Sequence, residues 1–226
     1  MNPDKILRLA ELFYSLATSE ELPANSDNLT VILKNLEKLE THAARKKYAE
    51  KNLKRLSSGS SRLVYLTDDD TVVKLAKNDK GIAQNEAESN PKMKSKYLNK
   101  VLGYAKSHVW IETCYLDKIN EKEFEKLTGI DFGAFGKAVD YGLKNVSESS
   151  DTKKPKNFDE IIKSDIFKEL KRLGNKFKLM PGDLSRISSW GTKGGNPILI
   201  DSGLTKEVFE DFYEDKDSNS NSKSET

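Results

Sequence analysis

The stretch Asn196-Pro197-Ile198-Leu199-Ile200-Asp201-Ser202-Gly203 constrains this chain most. Three apolar residues in a row read as a short buried strand, and the run stops at an acid with a glycine two residues on. A second acid, Asp183 in Gly182-Asp183, stands 18 residues before Asp201. The third landmark is Thr71-Val72-Val73-Lys74-Leu75-Ala76, a strand pattern carrying one lysine among apolar neighbours. A lysine so placed projects to one face of a sheet, and its ammonium needs an anion there. Two carboxylates at this separation, one just past a strand, suit phosphoryl transfer, in which one acid orients a hydroxyl and the other holds Mg²⁺.

Composition narrows the partners. The chain has 226 residues, room for one large domain or two small ones. Its 38 basic and 36 acidic residues leave a net charge of +2, which gives no reason to expect nucleic acid or an anionic membrane as the main partner. Cys114 is the only cysteine and sits in an apolar run, where a small buried hydrophobe is expected. With His42 and His108 the only histidines, no Cys/His metal cluster can be assembled. No apolar run approaches the roughly 18 residues of a membrane span, and the N-terminus lacks a signal-peptide pattern. A cytoplasmic location is the expectation.

Along the chain, residues 1–55 read as a helical extension: Ile6, Leu9, Ala10, Phe13 and Leu16 form one apolar stripe, and Leu29, Ile32, Leu33, Leu36 and Leu39 a second. A hairpin packed on the main body and a docking arm for a protein partner both fit this pattern. From residue 56 to 116 the signals are strands: Arg62–Leu66, Thr71–Ala76, Val101–Tyr104 and His108–Leu116, with a helix from Lys80 to Glu88. Residues 117–214 are mostly helical, over Glu121–Leu127, Phe132–Leu143 and Phe158–Lys176, with a Ser/Lys/Asp-rich loop before the last. Trp190-Gly191 and Lys193-Gly194-Gly195-Asn196 suggest a hairpin between the two acids, and Val208–Tyr213 a last helical turn. Residues 215–226 carry no apolar side chain and are expected to be disordered.

The order of these pieces resembles the protein-kinase-like fold: glycine-bearing turn, strand with lysine, helix with glutamate, two strands, helices, acid loop, strand, Asp-x-Gly. The resemblance implies a two-lobed α+β architecture, with a small antiparallel sheet lobe and a reduced helical lobe, and ATP and Mg²⁺ bound between them. Val-Val-Lys-Leu-Ala at Lys74 is similar to the family's V-A-I-K, which makes Lys74 the phosphate-binding lysine and Glu86 its expected helix partner, with Glu88 the runner-up. Ser57-Ser58-Gly59-Ser60-Ser61-Arg62-Leu63-Val64 follows G-x-G-x-x-G-x-V only at Gly59 and Val64; Ser57 and Arg62 stand where glycines are usual. Trp110-Ile111-Glu112-Thr113-Cys114-Tyr115-Leu116 looks like the hinge that meets adenine, with Glu112 and Cys114 the nearest residues. Pro181-Gly182-Asp183 stands for H-R-D, which makes Asp183 the residue that orients the acceptor hydroxyl; the metal-binding positions fall on Ser188 and on Asp201 of Asp201-Ser202-Gly203.

Departures from the pattern are informative. After Gly203 no Ala-Pro-Glu follows, and the expectation is a helical half without the helices that bind protein substrates. This truncated form is similar to small kinase-like proteins of bacteriophages, which implies the host cytoplasm. Two functional readings are open at this point. One is an ATP·Mg²⁺-dependent phosphotransferase of unknown acceptor. The other is a pseudokinase acting as a structural or protein-interaction module, with residues 1–55 as the arm that would bind a partner.

Overall fold

In the computed structural model, the residues described are 26–67, 70–143 and 153–214. The helix expected over Ile6–Leu16 and the tail from 215 lie outside them. The chain forms an α+β structure with two separate apolar cores, the two-lobed layout the sequence pattern implies.

The first core is built on a five-stranded antiparallel sheet in the order β1 (Lys54–Ser58), β2 (Arg62–Leu66), β3 (Thr71–Ala76), β5 (Trp110–Cys114), β4 (Val101–Tyr104). Side chains alternate across a strand, so the register decides which face each residue serves. Leu63 and Tyr65 of β2, Val73 and Leu75 of β3, and Trp110 of β5 share the outer face. Ile32, Leu33 and Leu36 from α1 (Ser26–Lys38) and Ala49 from α2 (His42–Asn52) cover it. The Trp110 indole N–H donates to the Leu33 carbonyl at 3.1 Å, satisfying both groups in the apolar interface. The even-numbered residues Arg62, Val64, Val72 and Lys74 face the other way, toward the second half of the molecule.

Helix α3 (Asp79–Glu88) begins where Asn78 caps it, its side chain accepting from the Gly81 N–H at 3.0 Å. Gly81 is required by proximity, since a Cβ there would lie 2.3 Å from the Ser61 carbonyl oxygen. The helix is thereby pressed against the start of β2.

The second core belongs to α4 (Glu121–Thr128), α5 (Phe132–Gly142), α6 (Phe158–Ile161), α7 (Asp165–Phe177) and α8 (Pro181–Leu184). Phe124, Phe132, Phe135 and Trp190 form its aromatic centre, with Phe124 edge-on to both Phe132 and Trp190. A three-stranded sheet, β6 (Asp117–Lys118), β7 (Trp190–Lys193) and β8 (Asn196–Leu199), joins it through Trp190 and Leu199, and α9 (Lys206–Tyr213) ends the described chain.

Three details differ from the sequence expectation. Strand β1 is exposed along its whole length and has one apolar residue, Leu56, so it carries no alternation to read. The helix expected over Phe158–Lys176 is two helices, because the Ser164 side chain accepts from the Phe167 N–H and starts α7 afresh. The apolar stripe after Leu29 ends at Lys38, and Thr41 caps α2 as a separate helix.

Candidate functional site

A cleft of about 750 Å³ runs between the inner face of the five-stranded sheet and the helical half. Gly59, Lys74, Cys114, Asp183, Ser188 and Asp201 all line it, so the fold brings six of the eight sequence-selected residues to one cavity. Glu86 and Glu112 are not among its walls.

Lys74 is delivered by β3 and is almost fully buried, its side chain 3% exposed. Its Nζ donates to Glu88 Oε1 at 2.5 Å and to the Ile200 carbonyl at 2.7 Å. The first bond lies within the sheet half, and the second crosses to the end of β8. The expected partner Glu86 is exposed on α3. Glu88 takes the role, because two further residues along the helix carry the side chain through about 200° from the solvent face to the sheet face.

Arg62 completes the arrangement. Its guanidinium, 5% exposed, donates from Nη1 to Glu88 Oε2 at 2.6 Å and to Asn85 Oδ1 at 3.2 Å, and from Nη2 to Asp201 Oδ1. Glu88 therefore holds one cation on each carboxylate oxygen. Burial alone would lower the pKa of Arg62, but the charges of Asp201 and Glu88 and their hydrogen bonds raise it above the ordinary arginine value. Burial likewise works against ionised Asp201; Arg62 and Lys74, aided by the Gly203 N–H, outweigh it and hold that carboxyl well below the usual carboxylate range.

Asp201 is placed by the strand that precedes it. The Ile200 N–H donates to the Ser189 carbonyl at 2.7 Å, and the Leu199 N–H to the Tyr97 carbonyl at 2.8 Å. The loop then passes so close to α3 that a Cβ on Gly203 would lie 2.5 Å from the Gln84 carbonyl oxygen. Only a residue without a side chain fits there. Asp183 sits in α8, which the Trp190 indole anchors by donating to the Leu184 carbonyl at 3.0 Å. Burial and the charge of Asp201 raise the Asp183 carboxyl above its ordinary value, with Arg186, 3.7 Å away, and Arg62 opposing.

The turn at Gly59 is closed by bonds within the sheet half. The Gly59 N–H donates to the Arg62 carbonyl at 2.9 Å, and Lys77 Nζ donates to the Gly59 carbonyl at 2.8 Å. A Cβ at Gly59 would meet nothing nearer than 3.7 Å, so the conformation does not demand glycine. Cys114 is half-buried at the cleft wall, not enclosed in a core. Two main-chain groups of the expected hinge are engaged within the protein: the Cys114 carbonyl accepts from Asn99 Nδ2 at 2.8 Å, and the Tyr115 N–H donates to the Asp70 carbonyl at 2.9 Å. Glu112 pairs with Val73 in register and so lies on the outer face of the sheet, where it accepts from Thr71 Oγ1 at 2.8 Å.

The residues the sequence suggested for Mg²⁺, Asp201 and Ser188, both border the cleft. Oδ1 of Asp201 is taken by Arg62, and Ser188 offers a neutral hydroxyl. Among the described residues no group of three His, Cys, Asp or Glu is placed to hold a metal. Two cations, Arg62 and Lys74, already balance two carboxylates, Glu88 and Asp201.

Sequence reading passed over several residues of the cleft wall. Lys118 and Arg186 line it from the helical side, and Tyr213 of α9 closes one end, within 3.4 Å of Gln84 Nε2. Arg62, which the sequence already marked as a charge at the turn, could have been placed beside Lys74 from strand parity, since it shares the face of Val64 and, through the β2–β3 register, of Lys74.

No protein-family model and no curated protein matches the chain. Among solved structures, it is similar to aminoglycoside phosphotransferase APH(2″)-Ib with ADP, at 15% identity and a TM-score of 0.35, over 81% of this chain and 73% of that one. It is also similar to APH(2″)-IIa in a ternary complex with streptomycin and ATP, at 16% identity and a TM-score of 0.33, over 81% and 73%. The gentamicin complex of APH(2″)-IIa is similar at 14% identity and a TM-score of 0.33, over 75% and 73%.

Proposed function

We infer that this chain is a kinase-like nucleotide-binding protein whose cleft takes the phosphates of a nucleoside triphosphate such as ATP. The observation that carries the reading is the charge of the cleft wall. Arg62, Lys74, Lys118 and Arg186 line it against Asp183 and Asp201, and with Glu88 behind Arg62 and Lys74 four cations still face three acids, an excess that suits a polyanion. The order of β2, β3, α3, β4 and β5, with a buried Lys74–Glu88 pair between strand and helix, supports the kinase-like assignment.

Phosphoryl transfer is the activity that the place of Asp183 suggests. Its carboxyl, raised by burial, would accept a hydrogen bond from an acceptor hydroxyl at the mouth of the cleft. A second reading, nucleotide binding without transfer, is favoured by the engagement of Asp201 with Arg62. Calorimetric titration with ATP, followed by assay of γ-phosphate release and of transfer to small hydroxyl compounds, tests both. Absence of heat and of protection from thermal unfolding at millimolar ATP contradicts the nucleotide reading. Binding without turnover selects the non-catalytic form.

A further inference from the structure

We propose that Arg62 stands in for a divalent cation at Asp201, so that the cleft takes the phosphates of its nucleotide without a bound metal ion. The inference rests on the nucleotide reading above and deepens it.

The guanidinium is fixed from both sides of the cleft. Its planar fork reaches Glu88, Asn85 and Asp201 at once, so it bridges the α3 helix of the sheet half and the acid at the end of β8. It is nearly sealed from water at 5% side-chain exposure, yet its residue still borders the cleft. The backbone gives it little freedom. Arg62 is in register with Ala76 across β2 and β3, its carbonyl accepts from Gly59, and the neighbouring Ser61 carbonyl accepts from the Lys77 N–H at 2.8 Å. To free Oδ1 of Asp201 for a metal ion, the start of β2 would have to move, and Glu88 and Asn85 would lose a partner; Oδ2, on a side chain 45% exposed, would be a single ligand.

Charge points the same way. A metal ion works at such a site by neutralising phosphate oxygens and tying them to a carboxylate. Here a permanent cation already touches the carboxylate, and a second, Lys74, lies beside it on the same glutamate. Two added positive charges would find Glu88 and Asp201 already paired, and the further acid of the cleft wall, Asp183, has Arg186 3.7 Å away. Arginine also matches phosphate geometry through paired N–H donors, so it can both satisfy Asp201 and border a bound anion.

Titration of the full chain with ATP in EDTA and in millimolar MgCl₂ is the test. Affinities within about threefold of one another are expected. Binding that needs Mg²⁺ by about tenfold or more overturns the metal-free proposal while leaving the nucleotide reading intact. Absence of binding in both buffers overturns the nucleotide reading, and the metal-free one with it. A second arm uses Mn²⁺ alone, with the free ion followed by electron paramagnetic resonance. Wild type should leave Mn²⁺ free, R62Q should gain a site, and R62Q/D201N should lose it again. Tight Mn²⁺ uptake by wild type that disappears in D201N overturns the proposal. R62Q should also lose ATP affinity in EDTA by roughly tenfold to a hundredfold, the usual worth of a charge-assisted bond. The wild-type titrations decide the matter even if R62Q does not fold.

Discussion

Arg62 and Asp201 are 139 residues apart in the chain and meet as an ion pair across the cleft. The contact joins the first residue of β2 to the residue after Ile200, and Lys74 reinforces it by donating to the Ile200 carbonyl one residue earlier. Two side chains from the sheet half thus hold the acid-bearing loop of the helical half, and both depend on Glu88 for their placement.

Glu88 should therefore matter far more than its neighbour on the same helix. Replacing it in E88Q removes the charge that balances two buried cations, a change that costs about 3–5 kcal/mol when a buried pair is broken. E86Q alters an exposed side chain and should stay within about 0.5 kcal/mol of wild type. Denaturant unfolding measures both. Equal losses in the two variants would show that the network around Glu88 is not the one that supports the fold.

The two cleft acids should respond to pH in opposite senses. Asp201 has its carboxyl lowered in the folded state, so its contribution to stability is present above the ordinary carboxylate value near 3.9 and is lost as pH falls through that value toward the folded one. Asp183 has its carboxyl raised, so ionising it works against folding, a penalty absent in acid and full once pH exceeds the folded value. The expectation is that D201N is least stable relative to wild type at neutral pH and converges with it in acid. D183N should match or exceed wild type at neutral pH and lose that margin in acid. Thermal melts from pH 3 to 8 check the signs, and parallel profiles for the two variants would contradict them.

Two glycines separate a packing requirement from a ligand requirement. G203A would push a methyl to within 2.5 Å of the Gln84 carbonyl oxygen, which should cost about 1–3 kcal/mol. G59A meets nothing nearer than 3.7 Å and should fold as wild type does. Chemical denaturation of both variants measures this. If G59A keeps its stability and its ATP affinity, the turn is not a phosphate cradle.

Lys118 and Arg186 border the cleft from exposed positions, so they can be changed without disturbing a core. K118A/R186A should melt within a few degrees of wild type and bind ATP several-fold more weakly, with a shallower dependence on salt. An unchanged affinity and salt slope would place the phosphates elsewhere.

How much of this the sequence disclosed follows from the period of its patterns. Strands β2 and β3 stand where alternation put them, because each buries one face against α1 and α2 and turns the other to the cleft. Helix α3 begins one residue before its expected start, at a cap that the sequence displays as Asn78-Asp79. Strand β1 has no buried face to print a pattern, and β6 is two residues long, so neither leaves a mark. The site was legible as a set of residues, but its pairings were not. Choosing Glu88 over Glu86 requires the rotation of α3 against the sheet, and that is fixed by the approach of Gly81 to Ser61 and of Gly203 to Gln84, contacts made between distant parts of the chain. Arg62 was conspicuous as a departure from glycine; its union with Asp201 depends on where β8 ends in space.

The central claim is that the cleft between sheet and helices receives a triphosphate at Lys74 and Arg62. A crystal structure of the chain with a non-hydrolysable ATP analogue at millimolar concentration tests it most directly. The account predicts phosphate oxygens within hydrogen-bonding distance of Lys74 Nζ and the Arg62 guanidinium, with Asp183 at the open side of the terminal phosphate. A cleft left empty at that concentration, or an analogue seated on another surface, would contradict it.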